Sequence, residues 1–134
     1  MLEMSKVTKF EDIDAWKVAR DLTAAVYRVS RQNSFVRDFG LRDQIQRASV
    51  SIMANIAEGF ERGGDREFRQ FLAQAKGSAG EVRSNLYVAH DVGHLTEDEF
   101  HSLMESVLRV SRLLAAFIQY LGTSDIGGWK HRRS

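Results

Sequence analysis

Between Phe68 and Ala89 the apolar residues Phe68, Leu72, Ala75, Ala79, Val82, Leu86 and Ala89 are separated by four and three positions in strict alternation. Positions three and four apart line one side of an α-helix, whereas a strand would alternate by two. The seam runs for about six turns, and an apolar stripe of that length must be covered rather than left in water. Such a helix needs partners of similar length. The chain can supply them, because none of its 134 residues is proline, so no helix interior loses a backbone donor to one.

Three further segments read the same way. The first starts near Asp12 or Asp14, either a suitable N-cap, and places Ala15, Val18, Leu22, Ala25 and Val29 at helical spacing before fading at Gln32-Asn33-Ser34. The second runs from about Asp38 to Arg62, where Gly63-Gly64 stops it and Asp65 offers a cap to the helix carrying the seam. That helix ends near Gly93. Thr96 and Glu99 then form a capping-box pattern ahead of Phe100, Leu103, Val107, Val110, Leu114, Phe117 and Leu121, with Gly122 as the terminating residue. Four helices over about 12–32, 38–62, 65–92 and 97–121 with short connections predict an antiparallel up-down-up-down four-helix bundle. Residues 1–11 read as an N-terminal arm and 123–134 as a flexible basic tail.

Composition removes several classes of function. With no cysteine there is neither a disulfide nor a thiolate metal site. No apolar run approaches the ~20 residues of a membrane span, and MLEMSKVTKF lacks the apolar stretch of a signal peptide, so a cytoplasmic protein is expected. The net charge is +1, yet Lys130, Arg132 and Arg133 all lie in the last five residues, which leaves the remainder at −2. Any attraction for phosphate must therefore come from where charges sit.

The second helix is apolar on two sides. Leu41, Ile45, Ala48, Ile52, Ile56 and Gly59 form a core face, while Val50, Met53, Ala54 and Ala57 make another patch. Between them runs a polar stripe of Gln44, Arg47, Ser51, Asn55, Glu58 and Arg62, expected to pair internally, with Arg47–Glu58 and Glu58–Arg62 as candidate ion pairs. The plainer alternative is a solvated face carrying a few exposed aliphatics. On the third helix, Ala73, Gly77, Gly80 and Ser84 line the side opposite the seam, and a mid-helix glycine costs about 1 kcal/mol relative to alanine. Small residues so arranged admit a close neighbour, either another helix of the bundle or a second subunit.

The segments FEDIDAWKVA, GLRDQIQRASVSIMANIAEGF and REFRQFLAQAKGSAGEVRSNLYVA resemble the bacterial four-helix-bundle family also called the large-subunit ribosomal RNA intervening-sequence proteins. The resemblance covers about residues 10 to 121 and rests on Arg47-Ala48, Ser51, Asn55-Ile56-Ala57-Glu58-Gly59, Ala75-Lys76-Gly77-Ser78-Ala79 and Glu81. It implies a bundle that assembles into a homopentameric ring, with no catalytic residue to carry over. It also implies a distant similarity to the accessory protein of diversity-generating retroelements, a pentamer that binds nucleic acid and a reverse transcriptase. The glycine-rich basic segment from Gly127 to Ser134 lies outside the shared pattern.

Candidate nucleic-acid contacts are Arg62, Arg66, Arg69, Lys76 and Arg83, of which Arg69, Lys76 and Arg83 recur every seven residues on one side of the third helix. Trp129, Lys130, Arg132 and Arg133 add an aromatic among cations, suited to stacking on a base beside a phosphate. Glu67 and Glu81 stand near enough to neutralise the row, which is the competing expectation. His90, His94 and His101 with Asp91 and Asp98 have metal-like spacing, but Gly93 interrupts the helix that would align them. Lys76-Gly77-Ser78-Ala79-Gly80 has neither the residue order of a phosphate loop nor a preceding strand. No enzyme, cofactor or metal is expected. Two functions remain: a homo-oligomeric accessory protein binding RNA or DNA, or a structural or adaptor ring binding a protein.

Overall fold

The computed structural model describes residues 7–123. Four helices make the fold: α1 Asp14–Ser30, α2 Phe39–Arg62, α3 Asp65–Asp91 and α4 Glu97–Thr123. Short 3-10 turns at Phe10–Asp12 and Asn33–Arg37 precede α1 and α2. α1 packs on α2, α2 on α3, α3 on α4, and α4 back on α1, so the described residues form an all-helical four-helix arrangement without strands. The α2–α3 contact is the most extensive of the four.

Local chemistry explains most of the boundaries. Asp38 caps α2, its carboxylate accepting from the Leu41 N–H at 3.3 Å. Gly63 ends that helix in the left-handed conformation, φ 82°, and α3 follows at once. Asp65 is the first residue of α3, and Gly64 occupies the cap position instead. Thr96 and Glu99 close a capping box: the Glu99 N–H donates to Thr96 Oγ1 at 3.1 Å, and the Thr96 N–H donates to Glu99 Oε1 at 2.9 Å. α1 begins later than the pattern implied, because Phe10–Asp12 turns in a 3-10 coil first. Val7 and Ile13 are buried, and Phe10 meets Trp16 edge-on at 5.3 Å, so residues 7–11 belong to the packed body. Residues 1–6 of the expected arm, and the tail from 124, lie outside the described residues.

Every residue of the α3 seam is buried, as is every apolar position named on α4. On α1 the deepest positions are Ala15, Ala19, Leu22 and Val26, while Val18 and Ala25 sit at the margin. Phe68 anchors one end of the core, edge-on to Phe60 at 6.0 Å and to Phe117 at 5.1 Å. Gly59 permits this packing. A Cβ there would lie 2.7 Å from Phe71 Cβ and 2.9 Å from Phe68 Cδ1, so only glycine lets α2 approach α3 so closely.

Candidate nucleic-acid interface

α3 buries its seam and turns the opposite side to solvent. Arg66, Arg69, Lys76 and Arg83 are all exposed, and among the described residues none of them takes part in an ion pair. Glu67, a supposed neutraliser, points instead to Arg62, which is held by Glu58 at 2.9 Å and Glu67 at 3.5 Å and lies over the Phe71 ring at 5.3 Å. Arg62 therefore separates from the row it was expected to join. The row itself steps by seven residues, about 10 Å per cation. Its Arg69 end lies beside Gly122 of α4, whose added Cβ would sit 3.3 Å from Arg69 Nη2, so the row borders the α3–α4 side.

Among the described residues the small-residue stripe has no neighbour at its two glycines. Ala73, Gly77 and Ser84 are exposed, Gly80 is half-buried, and a Cβ at either glycine would meet nothing within 4 Å. Of the two expectations for this stripe, packing on a helix of the same chain is corrected. The second apolar patch of α2 also divides. Met53 packs onto the core, whereas Val50 is 43% exposed and Ala54 is exposed too. Ala54 and Ala57 line an open hollow of ≈ 350 Å³ with Glu58, Glu61 and Arg62.

The polar stripe of α2 resolves into two local pieces. Ser51 and Ser78 hydrogen-bond at 2.9 Å and join α2 to α3, while Asn55 Nδ2 donates to the Ser51 carbonyl at 2.9 Å and to its Oγ at 3.1 Å. Glu58 and Arg62 form the other piece. The expected Arg47–Glu58 pair is absent, because eleven residues along a helix separate them by about 16 Å. Gln44 and Arg47 are exposed and enter neither piece.

A polar chain at the other end of the bundle was missed by spacing. Asn33 adopts a left-handed conformation, φ 54°, and reverses the chain after α1, which buries Phe35. Gly93, φ 85°, does the same after α3, and the His94 N–H closes back on the Ala89 carbonyl at 2.8 Å. The two reversals bring Ser34 Oγ to 2.8 Å from His94 Nδ1 and Asp38 Oδ2 to 2.9 Å from His94 Nε2. Because an ionised carboxylate only accepts, Nε2 carries a proton toward Asp38, and in the neutral imidazole Nδ1 then accepts from the serine hydroxyl. The imidazole is 10% exposed and stacks on Phe35 at 5.0 Å. This is a clasp between the α1–α2 and α3–α4 connections. The hydrogen bond from His94, helped by the Leu41 amide, holds the Asp38 carboxyl below its usual range.

His90 goes elsewhere. Its Nε2 meets Glu97 Oε1 at 2.6 Å while the ring stacks on Phe100 at 4.3 Å, and His101 reaches the other Glu97 oxygen at 3.4 Å. The Glu97 hydrogen bond raises the His90 pKa, and the same bond lowers that of Glu97. Of the histidines with metal-like spacing, His94 thus serves Asp38 while His90 and His101 share Glu97, and no group among the described residues is arranged to hold a metal ion. Nor is any described helix long and apolar enough to cross a membrane. Trp129, Lys130, Arg132 and Arg133 lie outside the described residues.

This architecture belongs to the four-helix bundles. A crystal structure of a protein of unknown function from the S23 ribosomal protein family of Bacteroides thetaiotaomicron VPI-5482 matches it with a TM-score of 0.72. The match covers 78% of this chain and 98% of that one at 20% identity, and it speaks for the fold. The family model described as 23S rRNA-intervening sequence protein matches residues 11–116, and the chain belongs to that family. The resemblance read from the α1, α2 and α3 segments is therefore borne out. No curated protein matches the chain.

Proposed function

We propose that this protein is a non-enzymatic, homo-oligomeric accessory protein, a pentameric ring, that binds nucleic acid through α3. One observation carries this reading: Arg66, Arg69, Lys76 and Arg83 are all exposed on the one helix α3, and among the described residues none of them is held by a carboxylate, as Arg42 and Arg62 are. Of these, Arg69, Lys76 and Arg83 recur at regular intervals that suit phosphates, and a ring would repeat the row once per subunit. The open stripe of Ala73, Gly77, Gly80 and Ser84 beside the row is the proposed subunit contact, with Val50, Met53 and Ala57 of α2 contributing from a neighbouring copy. Trp129, Lys130, Arg132 and Arg133 are proposed to extend the phosphate-binding surface, in a cytoplasmic setting.

Labelled RNA and DNA titrated at low salt should bind, with affinity falling steeply as salt rises. Reversing Arg69, Lys76 and Arg83 to glutamate should abolish duplex binding without changing the helical spectrum. Duplex binding that survives this triple reversal would overturn the reading. Light scattering should give a particle several times the 15.2 kDa of one chain. A second reading, an adaptor ring for a protein partner, draws on Tyr87, Val88 and Val92, exposed together at the end of α3. It takes over when the purified oligomer ignores nucleic acid.

A further inference from the structure

Two aromatic–arginine pairs repeat along one edge of α1. The Arg20 guanidinium lies 5.7 Å from the Trp16 ring centroid, and that of Arg31 lies 5.3 Å from Tyr27. Each pair is spaced four residues apart, and the second is the first displaced by eleven, close to three whole turns. The pairs therefore share one edge, about 16 Å apart. Thr23 lies on that edge too, its hydroxyl 2.8 Å from the Ala19 carbonyl of its own helix and 3.2 Å from the Ser49 carbonyl, which sets the edge against α2. A third pair, Phe39 and Arg42 at 4.8 Å, opens α2 at the end of the bundle where α1 finishes, with Phe39 62% exposed.

Contacts of this kind occur about once per 70–80 residues, and the described residues hold four, three of them along α1 and the start of α2 and the fourth at Arg62 and Phe71. Among the described residues Arg20 and Arg31 have no carboxylate partner, although Asp21 lies next to Arg20 in sequence. Arg42 shares Asp43 at 3.5 Å and donates to the Val36 carbonyl at 3.0 Å, which fixes its head beside the Phe39 ring. A guanidinium held over a ring is already ordered, and both groups accept a planar base by stacking; Arg20 and Arg31 keep their N–H edges for phosphate, while Arg42, committed through Nε and Nη1, offers Nη2.

We infer that the α1–α2 face is a track for single-stranded nucleic acid, in which Trp16, Tyr27 and Phe39 stack on unpaired bases and Arg20, Arg31 and Arg42 meet the phosphates. The inference rests on the nucleic-acid reading above but uses a different part of the bundle, since α1 and α3 each pack on α2 and α4 and stand diagonally apart. It adds a discrimination that the α3 row lacks. Phosphates are present in duplex and single strand alike, whereas only unpaired bases are free to stack.

The test uses the full chain beside its Trp16→Phe variant, so that the difference between the two isolates the Trp16 signal from that of Trp129. A twelve-nucleotide oligouridylate and a duplex of equal length are titrated against both, reading tryptophan fluorescence and anisotropy. The single strand should quench Trp16, and Phe39→Ala with Tyr27→Ala should weaken its binding about tenfold or more while duplex affinity moves less than twofold. Circular dichroism of each variant, together with Phe39→Tyr as a rescue, separates lost stacking from lost folding. Equal binding of both ligands, unmoved by the aromatic variants but abolished by the α3 charge reversal, sinks this inference and leaves the α3 reading intact. No binding of either ligand sinks both.

Discussion

The glycines of α2 and α3 make opposite predictions that one set of melts can decide. Gly77 and Gly80 lie inside α3 with ordinary helical backbone, and a methyl at either would enter open space. Alanine in a helix interior gains about 1 kcal/mol over glycine, so Gly77→Ala with Gly80→Ala should stabilise the isolated chain by about 2 kcal/mol. For a domain of this size that corresponds to a rise of roughly 6–10 °C in melting temperature. Gly59 has the same propensity to gain, but its new methyl would press on Phe71 Cβ at 2.7 Å and Phe68 Cδ1 at 2.9 Å. Neither atom is the loose end of a side chain, and overpacking of this kind costs about 1–3 kcal/mol, so Gly59→Ala should melt lower. The assay is thermal unfolding followed by circular dichroism at two protein concentrations, with light scattering on the same samples. If the α3 stripe is a subunit contact, the stabilised double variant should also shrink in mass, because added methyls hold the second backbone away. A double variant that melts below the parent at low concentration, with Gly59→Ala unchanged, would refute the reasoning.

Two further expectations follow from the polar contacts at the other end. His90, raised by Glu97, contributes stability that is present below its usual 6.5 and lost as pH climbs through the raised folded value. Glu97, lowered by His90, contributes above its usual 4.5 and loses that contribution as pH falls through the depressed value, so the pair acts most fully between those two points. Glu97→Gln should therefore bring the His90 midpoint down in an NMR titration of the imidazole protons, and an unmoved midpoint would show that the bond does not form. Ser34→Ala removes one neutral hydrogen bond and should cost about 1 kcal/mol in denaturant titration. His94→Ala also loses the Asp38 contact and the Phe35 stack, so it should cost more than Ser34→Ala. Equal losses would mean that the clasp is not a unit.

What could be read from the sequence was local. The α3 seam, the stop at Gly63 and the Thr96–Glu99 box each depend on residues within a turn or two of one another. α1 shows the limit. Its apolar residues are dense enough to support two faces, and the contact with α2 and α4 selected Ala19 and Val26 for the deepest positions rather than Val18 and Ala25. The cationic row was legible because seven-residue spacing on a helix fixes a side. Which cations a carboxylate would capture was not, since Glu67 could reach either neighbour and folding turned it to Arg62. The His94 clasp joins residues 60 and 56 positions apart, and no periodicity encodes a meeting of that kind.

That clasp gives Asp38 two duties, because one carboxylate starts α2 and also holds the connection leading into α4. Opening at this end of the bundle should accordingly be concerted: the α2 cap cannot fray alone, since losing Asp38 releases His94 in the same event. Amide hydrogen exchange would register this as one shared opening rate for Leu41 and the His94 turn, in contrast to the independent fraying usual at helix ends.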